Sequence, residues 1–308
     1  MTTLEVRDQR LKAIVSDEPV VKRAGGFEFT EGPVWSPAGT LIFSDIPAST
    51  LYELDPAIDQ VSCYRKPSHK ANGNTYDHQG RLVTCEHATS RVVREEADGS
   101  LTVLAAEYAG AELNSPNDVV VDKAGRIWFT DPPYGRMDIP EGDPRPFSQP
   151  VQGVYRLDPG DGSITLVADD FDRPNGLCFA DDERVLFVND TSRMHVRSFE
   201  VRGANRSGGE AQLIGGEVWA RLEGTGEGAP DGMKVDSEGN LYCCGPGGVH
   251  VFSREGHCLG VVLVPETVAN FNWGDKDRKT LYMCAVTGLY SGRVLVPGPA
   301  GTVTTTAL

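Results

Sequence analysis

The chain has 308 residues, of which 39% are hydrophobic, and a formal net charge of −15 at pH 7. This charge argues against nucleic acid or an anionic membrane as a partner, because either would be repelled over much of the surface. The 35 glycines and 20 prolines suit many short strands and tight turns, and no segment has the long apolar periodicity of a major helix.

Residues 1–26 precede the repeated part of the chain. They lack the continuous apolar core of a signal peptide, and no apolar run in the sequence is long enough to span a bilayer. We therefore expect a cytoplasmic protein that binds no membrane. The segment has one possible strand and no complete copy of the hairpin unit that is repeated later in the chain. We therefore expect it to supply the outer strand of the last repeated unit, which would close the repeats into a ring.

After Thr30 a hairpin pattern occurs in six variant copies. In the copy at 115–131, an apolar run at Val119–Val121 and a turn at Asp122–Gly125 precede a β-rich run at Ile127–Phe129. At one equivalent position before its first strand or near that strand's start, each copy has an acid or an amide, and we call these positions the lead residues. The lead residues are Glu31, Asn72, Asn117, Asn175, Asp231 and Asn270.

The spacing of the lead residues indicates the fold. The intervals are 41, 45, 58, 56 and 39 residues, near the length at which four-stranded units form the blades of a propeller. Six units predict an all-β fold, a six-bladed β-propeller, with residues 1–308 forming a single domain. Because the innermost strand of each blade lines a central channel, the lead residues should form a ring around its axis.

Two segments exceed the plain repeat. Residues 132–150 are rich in proline and charge, and the hairpin geometry puts them over the lead residues as a candidate lid or pocket wall. Residues 215–230 are rich in glycine, and we expect a short helical turn among them.

The cysteines point to structural roles. They are seven, an odd number, and most lie in predicted strands, where a thiol behaves as a small hydrophobe. We expect no essential disulfide. Cys243 and Cys244 are adjacent, but successive strand residues point to opposite faces, and no second pair completes a zinc site.

The lead residues suit a metal ion. Glu31 and Asp231 offer anionic oxygens, and the four asparagines offer amide carbonyls. Oxygen ligands of these types select hard cations, so we predict one divalent ion in the channel, with Ca²⁺ as the first choice, followed by Mg²⁺ or Mn²⁺. The alternative is that these residues only cap turns and strand starts.

Asp231 is the predicted catalytic residue. A carboxylate beside such a cation can act as general base toward water or as nucleophile. Asp231 is the shorter carboxylate and follows a Gly-Ala-Pro turn that can hold it stiffly, whereas Glu31 suits the role of a plain ligand.

His87 and Tyr134 are candidate substrate-binding residues. Both follow the second strand of a hairpin, at the face of the lead residues, and for each a packing or surface role is the open alternative. The sequence has no GxSxG, GxxxxGK[ST] or HExxH motif. Serine hydrolase, nucleotide-cleaving and zincin activities are therefore unsupported.

Five motifs carry a family resemblance. They are Glu-Gly-Pro-Val-Trp at 31–35, Asn-Ser-Pro-Asn-Asp at 114–118, Phe-Thr-Asp-Pro-Pro-Tyr-Gly at 129–135, Arg-Pro-Asn-Gly-Leu at 173–177 and Pro-Asp-Gly-Met-Lys-Val-Asp at 230–236. With them the chain, from about Thr30 to Tyr290, resembles the SMP-30/gluconolactonase/LRE family of six-bladed β-propellers, and its phrases look most like the bacterial gluconolactonase branch.

The resemblance implies a metal-dependent carboxylic ester hydrolase that opens an aldonolactone. It implies one divalent metal held by Glu31, Asn175 and Asp231, with Zn²⁺ among the possible ions. Asn117 would lie beside the metal and contact the substrate or complete the coordination shell, and Asp231 would double as the acid/base residue. Animal members carry an arginine two positions before the equivalent of Asn117, where this chain has Ser115, so their contacts to sugar hydroxyls do not transfer.

Two other functions stay open. The same site would suit a phosphotriesterase resembling diisopropyl-fluorophosphatase, or a lactonase acting on a non-sugar lactone; only the pocket wall would differ. A non-catalytic propeller with a structural ion is the third possibility. For an aldonolactonase and for either of the alternative hydrolases, the expected partner is a small molecule. The sequence does not predict the oligomeric state.

Overall fold

The chain folds into short strands, which the computed structural model describes for residues 3–203 and 212–299. Strand β1 (Leu4–Val6), a 3₁₀ helix (Gln9–Ala13) and β2 (Val21–Gly25) come first. The strands of the first half are β3 (Thr30–Trp35), β4 (Leu41–Asp45), β5 (Thr50–Asp55), β6 (Gln60–Arg65), β7 (Ala71–Tyr76), β8 (Leu82–Glu86), β9 (Arg91–Glu95), β10 (Leu101–Ala105), β11 (Glu107–Tyr108), β12 (Ala111–Glu112), β13 (Val119–Val121) and β14 (Ile127–Asp131).

The second half begins with a 3₁₀ helix (Tyr134–Arg136) in the long loop. Its strands are β15 (Gln152–Asp158), β16 (Ser163–Phe171), β17 (Pro174–Phe179), β18 (Val185–Asp190), β19 (His195–Arg202), β20 (Gln212–Arg221), β21 (Met233–Val235), β22 (Leu241–Gly245), β23 (Gly248–Phe252), β24 (Cys258–Leu263), β25 (Val268–Gly274), β26 (Thr280–Ala285) and β27 (Gly288–Arg293).

These strands form six antiparallel blades. The first four blades, counted from β3, each have four strands, β3 to β6, β7 to β10, β13 to β16 and β17 to β20, and β11 pairs with β12 as a small hairpin. The fifth blade is β21 to β24 with β1 at its outer edge, and the sixth is β25 to β27 with β2 at its outer edge. Inner strands β3, β7, β13, β17, β21 and β25 contact one another in a closed cycle. The predicted all-β, six-bladed β-propeller is confirmed.

Aspartates build several of the inner hairpin turns. The Asp122 carboxylate accepts the N–H groups of Ala124 and Arg126, each at 2.9 Å, and the Arg126 guanidinium at 2.7 Å. Asp77 and Asp236 make the same pair of backbone contacts in their own turns. An aspartate that binds the backbone two and four residues later explains why the repeated turn pattern folds locally.

The apolar core lies between neighbouring blades. On β14, Phe129 packs with Val83 of the second blade, whereas the adjacent Trp128 packs with Leu186 of the fourth. Cys243 and Cys244 likewise belong to different inter-blade clusters. All seven cysteines lie in described residues and are free thiols, as predicted.

The glycine-rich segment differs from its prediction. Residues 215–221 continue β20, and no helix is present between 215 and 230. Gly215 and Gly216 have φ values of +90° and +95° and form a bulge where the register with β19 shifts between Ser198 and Phe199. Elsewhere, too, the described part of the chain contains no helix long and apolar enough to cross a membrane.

Candidate active site

The lead residues meet where the inner strands begin. Five of them are buried, and Asp231 is partly exposed. The side chains of Glu31 and Asp231 are in hydrogen-bonding contact, Asn270 contacts Glu31, and Asn175 contacts Asp231. Asn117 joins the same ring through its carbonyl, which accepts the N–H of Gly73 at 2.8 Å. The structure therefore brings together residues that the sequence separates by up to 239 positions.

Glu31 and Asp231 form a pair of like charges. Burial, and then the charge of Asp118, raises the pKa of Glu31 from 4.5 to about 7. Burial, and then the charge of Glu31, raises the pKa of Asp231 well above its usual range. Two carboxyl groups in contact cannot both be ionised unless a cation lies beside them, so the pair either shares a proton or faces a positive ion.

The amides beside the pair are not equivalent. The Oδ1 atom of Asn270 accepts the N–H of Phe271 at 2.8 Å and the ammonium of Lys234 at 3.0 Å. Its oxygen is thus engaged, and its NH₂ group is left for Glu31. In contrast, Asn175 donates its NH₂ group to Thr191 Oγ1 at 3.2 Å, which leaves its carbonyl oxygen as a candidate metal ligand. The sequence pattern alone does not distinguish these two asparagines.

Asp118 is a third carboxylate at the site, which the sequence analysis did not identify. It is 6% exposed, accepts the N–H of Val119 at 2.9 Å, and acts to raise the pKa of both Glu31 and Asp231. Burial raises the pKa of Asp118 itself, and the positive charge of Lys234 opposes that change. A signal for it exists in the repeats, because four of the six lead residues are followed by glycine whereas Asn117 is followed by Asp118.

Those glycines allow neighbouring blades to approach closely at the site. A Cβ atom on Gly32 would lie 1.9 Å from the carbonyl oxygen of Asn72, and one on Gly176 would lie 2.2 Å from that of Asp231. Such distances exclude any side chain there. The Glu-Gly and Asn-Gly pairs of the repeats thus reflect packing between lead residues.

Three aspartates at the ends of second strands hold the backbone just before a lead residue. We call Asp45, Asp131 and Asp190 the clamp aspartates. Each accepts two backbone N–H groups at 2.7–3.3 Å, from the residues two and three positions before Glu31, Asn117 and Asn175 respectively. Burial raises the pKa of Asp131 to about 7, although the two N–H donors favour its charged form.

Three of the blades also support the lead residue of the next blade. Ser44 donates to the carbonyl of Asn72 at 2.6 Å, Thr130 to that of Asn175 at 2.8 Å, and Asn189 to that of Asp231 at 2.5 Å. The donor in each case is one residue before the end of a second strand. Asn175, which also follows the backbone bound by Asp190, is therefore held from both sides of a blade junction.

His87 is placed behind Asn72. It is 1% exposed, and burial, followed by the charges of Arg145 and Lys70, lowers its pKa to about 4 against the hydrogen bond to Glu141. The ring is thus neutral at pH 7. Its Nδ1 lies 3.3 Å from the carbonyl of Glu141 and must carry the proton, so Nε2 accepts from the Asn72 NH₂ group at 3.2 Å.

Tyr134 lies on the Asn175 side of the site. Burial raises the pKa of its hydroxyl to about 12; Thr191, Asp231, Arg173 and Asn175 are the other groups that influence it. The hydroxyl oxygen is buried but has no well-formed hydrogen bond within the described residues. Thr191 and Asn175 are the polar side chains next to it, so its hydrogen is available for an acceptor atom at the site.

The loop at 132–150 is firmly anchored. Arg136 donates to the carbonyls of Leu113, Asn114 and Pro146 at 2.6–2.7 Å and also contacts Glu112. Arg145 donates to the carbonyls of Gly135 and His87 at 3.0 and 2.7 Å. Guanidinium groups that bind several carbonyls in this way hold the loop in place beside His87.

Ser115 and Asn117 have different surroundings. Ser115 Oγ accepts the N–H of Gly135 at 2.9 Å and donates to the carbonyl of Pro132 at 2.5 Å, so it supports the loop. The side-chain amide of Asn117 has no hydrogen-bond partner in the described residues, although the residue is only 4% exposed.

The donor set fits a hard divalent cation. Within residues 3–203 and 212–299, no group of three or more His, Cys, Asp or Glu side chains is arranged to hold a metal. A site here depends instead on two touching carboxylates, Glu31 and Asp231, and the available amide oxygen of Asn175. These are the ligand types of Ca²⁺ and Mg²⁺ sites.

Comparisons with known proteins agree on one family. The family model described as the SMP-30/Gluconolactonase/LRE-like region matches residues 29–287. The chain is 32% identical over 298 residues to a gluconolactonase of Zymomonas mobilis, covering 90% of this chain and 82% of that protein. It is 26% identical over 263 residues to the lactonase drp35 of Staphylococcus epidermidis, covering 82% and 74%.

Solved structures give the same result. A gluconolactonase from Xanthomonas campestris superposes with a TM-score of 0.86 at 33% identity, over 96% of this chain and 95% of that one. Regucalcin of Agrobacterium tumefaciens, a calcium-binding protein, superposes with a TM-score of 0.72 at 18% identity, over 94% and 96%. At this lower identity the likeness shows the fold alone.

Proposed function

Because the chain belongs to the SMP-30/gluconolactonase/LRE-like family, we propose that it opens an aldonolactone with the help of one divalent cation. Its relatives support lactone hydrolysis, since they include a gluconolactonase and a lactonase. The observation that carries the metal dependence is the contact between the carboxyl groups of Glu31 and Asp231. The partner that suits this site is a small lactone, and a cytoplasmic location stays a prediction from the sequence.

Glu31, Asp231 and the carbonyl oxygen of Asn175 would hold the cation. Ca²⁺ is the first choice, with Mg²⁺, Mn²⁺ or Zn²⁺ as alternatives. When bound, the ion would polarise the lactone carbonyl and favour the ionised form of both carboxylates.

Asp231 then acts as general base. Its carboxylate takes a proton from a water molecule as the water oxygen bonds to the carbonyl carbon of the lactone. As the bond between that carbon and the ring oxygen breaks, the proton passes to the ring oxygen, which becomes a hydroxyl. The other product group is a carboxylic acid, which releases a proton to solvent.

The remaining candidates bind or orient. Asn117 and Tyr134 would donate hydrogen bonds to substrate oxygens. The Tyr134 hydroxyl has no well-formed partner in the described residues, and no hydrogen bond of the Asn117 side-chain amide is present among them. His87, whose ring nitrogens contact Asn72 and Glu141, would contribute to substrate binding through the orientation of Asn72.

A pH-indicator assay tests this function. The substrates are glucono-, galactono-, xylono- and arabinonolactone, a simple alkyl lactone and a phosphotriester, each with Ca²⁺, Mg²⁺, Mn²⁺ or Zn²⁺ and with chelator. We expect chelator-sensitive opening of at least one aldonolactone, and a loss of about 100-fold or more in kcat for Asp231→Asn. Asp161→Asn, which changes an acid in the exposed turn between β15 and β16, is the control.

Two results would contradict the proposal. If no aldonolactone opens faster than its spontaneous rate with any of the ions, the activity is wrong, and turnover of the alkyl lactone or phosphotriester would favour the alternatives. If opening persists after the ion has been removed, the metal dependence is wrong.

A further inference from the structure

We propose that Arg173 and the Tyr134 hydroxyl form a subsite for an acidic substituent of the substrate, a carboxylate or a phosphate ester. This inference rests on the proposed lactone hydrolysis and adds a substrate class to it. It concerns two side chains at the edge of the candidate metal site.

Arg173 is fixed beside the site by its backbone. It lies two residues before Asn175, and its N–H donates to the clamp aspartate Asp190 at 3.3 Å. Its carbonyl accepts the N–H of Thr191 at 3.0 Å. The direction in which its side chain leaves the backbone is therefore set by the same contacts that position Asn175.

The guanidinium of Arg173 has no anionic partner. Throughout the described part of the chain, no ion pair or hydrogen bond to its side chain is present. Asp190, which binds its backbone, pairs instead with Arg193 at 3.5 Å. The protein has a net charge of −15, and most of its described arginines form an ion pair with a carboxylate. A partly buried arginine that lacks such an ion pair is therefore unusual in this protein.

Tyr134 holds the guanidinium from one side only. The Cζ atom of Arg173 lies over the Tyr134 ring, 5.8 Å from its centroid. This contact uses none of the five N–H donors of the guanidinium in a hydrogen bond, so the donors stay available. A planar fork of this kind matches the oxygens of a carboxylate or phosphate.

The Tyr134 hydroxyl adds a donor on the inner side. Beyond burial, which raises its pKa, the charge of Asp231 raises that pKa and the charge of Arg173 lowers it. Both charges are therefore close to the hydroxyl. An anion bound by Arg173 would have this unpartnered O–H within reach, and the rest of the same molecule would extend toward Asp231.

Other cations at this face cannot take the same role. The ammonium of Lys70 contacts the carbonyls of Pro140 and Gly142, and Arg136 and Arg145 are engaged by carbonyls as described above. Their donors hold the loop. Lys234 contacts Asn270 Oδ1 at 3.0 Å and acts on Asp118. Compared with Lys70, Arg136, Arg145 and Lys234, Arg173 is the one whose side chain has no hydrogen bond or ion pair to the described residues.

The site needs a positive group if its substrate is acidic. When ionised, Glu31, Asp118 and Asp231 carry three negative charges, which one divalent ion and the ammonium of Lys234 would only just balance, so no positive charge is left there for an anionic substituent. Arg173 supplies a positive charge at the edge of the site, where a substituent of the lactone would point away from the lactone ring. A neutral sugar lactone has no such requirement.

Relative turnover of neutral and acidic lactones tests the subsite. The substrates are gluconolactone, a glucarolactone that carries a carboxylate, and gluconolactone phosphorylated on its terminal hydroxyl. For Arg173→Gln, the ratio of kcat/KM for an acidic lactone to that for gluconolactone should fall about 10- to 100-fold. Arg173→Lys should retain part of the ratio, and Tyr134→Phe should lower it less than Arg173→Gln.

Arg184→Gln is the matched control. It removes the same charge from the same blade. Arg184, however, lies in the turn between β17 and β18, at the end of β17 that is far from Arg173, and its side chain is 84% exposed. This variant should leave the ratio unchanged. The substrate with the larger fall identifies the anion as a carboxylate or a phosphate.

Equal losses with neutral and acidic lactones in Arg173→Gln would mean that Arg173 binds hydroxyls, and would overturn the proposal. Calorimetric titration with glucarate, a dicarboxylate, and gluconate, a monocarboxylate, gives a readout without turnover. Arg173→Gln should weaken glucarate binding more than gluconate binding, and equal effects would overturn the subsite. If wild type opens no lactone, the proposed function fails, and this titration still decides the subsite.

Discussion

Buried like charges dominate the energetics of individual residues at the candidate site. Glu31 and Asp231 are in contact and Asp118 is close to both. In water each would be ionised at pH 7, whereas here burial favours the protonated forms. The free energy of unfolding of the metal-free protein should therefore depend on pH in a way that a bound cation changes.

We predict that Ca²⁺ raises Tm more at pH 8 than at pH 5. The pKa of Glu31 is raised from 4.5 to about 7, so its contribution to stability is complete below about pH 4.5 and is lost as pH rises through about 7. A cation removes this loss by pairing with the ionised carboxylates. Thermal unfolding with Ca²⁺ or chelator at both pH values measures the difference.

Glu31→Gln/Asp231→Asn is the control for this measurement. With neither carboxyl group able to titrate, the variant should show no Ca²⁺ effect and a flatter change of Tm between pH 5 and 8. An equal Ca²⁺ effect at the two pH values in wild type would contradict the raised pKa values.

The lead residues could be predicted from the sequence, because a ring position recurs in every repeat. Asp118 and the engaged oxygen of Asn270 could not. Their roles depend on which neighbour each side chain meets across the channel, such as Lys234, and no spacing within the chain encodes that. The same holds for the unpaired guanidinium of Arg173.

At the scale of the strand, the clamp aspartates connect fold and site. Each joins the end of a second strand to the backbone just before a lead residue, so it fixes where the inner strand enters the channel. The contact is local within one blade. The clamp thus positions Glu31, Asn117 and Asn175 independently of the rest of the ring.

We predict that Asp131→Asn lowers the free energy of unfolding by about 1–3 kcal/mol. Asparagine keeps the shape but offers one acceptor oxygen, so it leaves the buried N–H of Asn114 or Ser115 facing an NH₂ group. Urea unfolding measures the change. Asp161→Asn, with the same substitution in an exposed turn, should stay within about 0.5 kcal/mol, and a similar value for both would show that the clamp does not contribute.

Irregular elements were less predictable than strands. The composition of 132–150 excludes a strand, but the carbonyls that Arg136 and Arg145 bind come from distant parts of the chain. The glycine content of 215–230 predicted a short helical turn, whereas residues 215–221 pair with β19 and Gly215 and Gly216 form a bulge. In both cases tertiary contacts decide what local preference leaves open.

At the scale of the whole molecule, the N-terminal segment joins the fifth and sixth blades. Strand β1 pairs with β24, and β2 pairs with β27. Between them Leu11, which is 0% exposed, packs in the cluster shared by these two blades, and Val15 bridges to Val294. Arg23 of β2 also forms an ion pair with Asp59 after the first blade's β5.

We predict that Leu11→Ala lowers the free energy of unfolding by about 2–5 kcal/mol, because it opens a cavity between two blades. Val21→Ala in β2 is the control, since Val21 is 52% exposed and should change stability by about 0.5 kcal/mol or less. Urea unfolding of both variants tests the prediction. If the two variants had similar urea midpoints, the N-terminal segment would lie against the propeller without stabilising it.

The position of β2 has a consequence for synthesis on the ribosome. Its partner β27 ends at Arg293, so β2 emerges early and waits for nearly the whole chain to be translated, some tens of seconds at roughly 5–20 residues per second. During that time it is an unpaired strand edge that could join the wrong partner. Lys22 and Arg23 place two positive charges in its middle, and such charges discourage pairing between nascent chains.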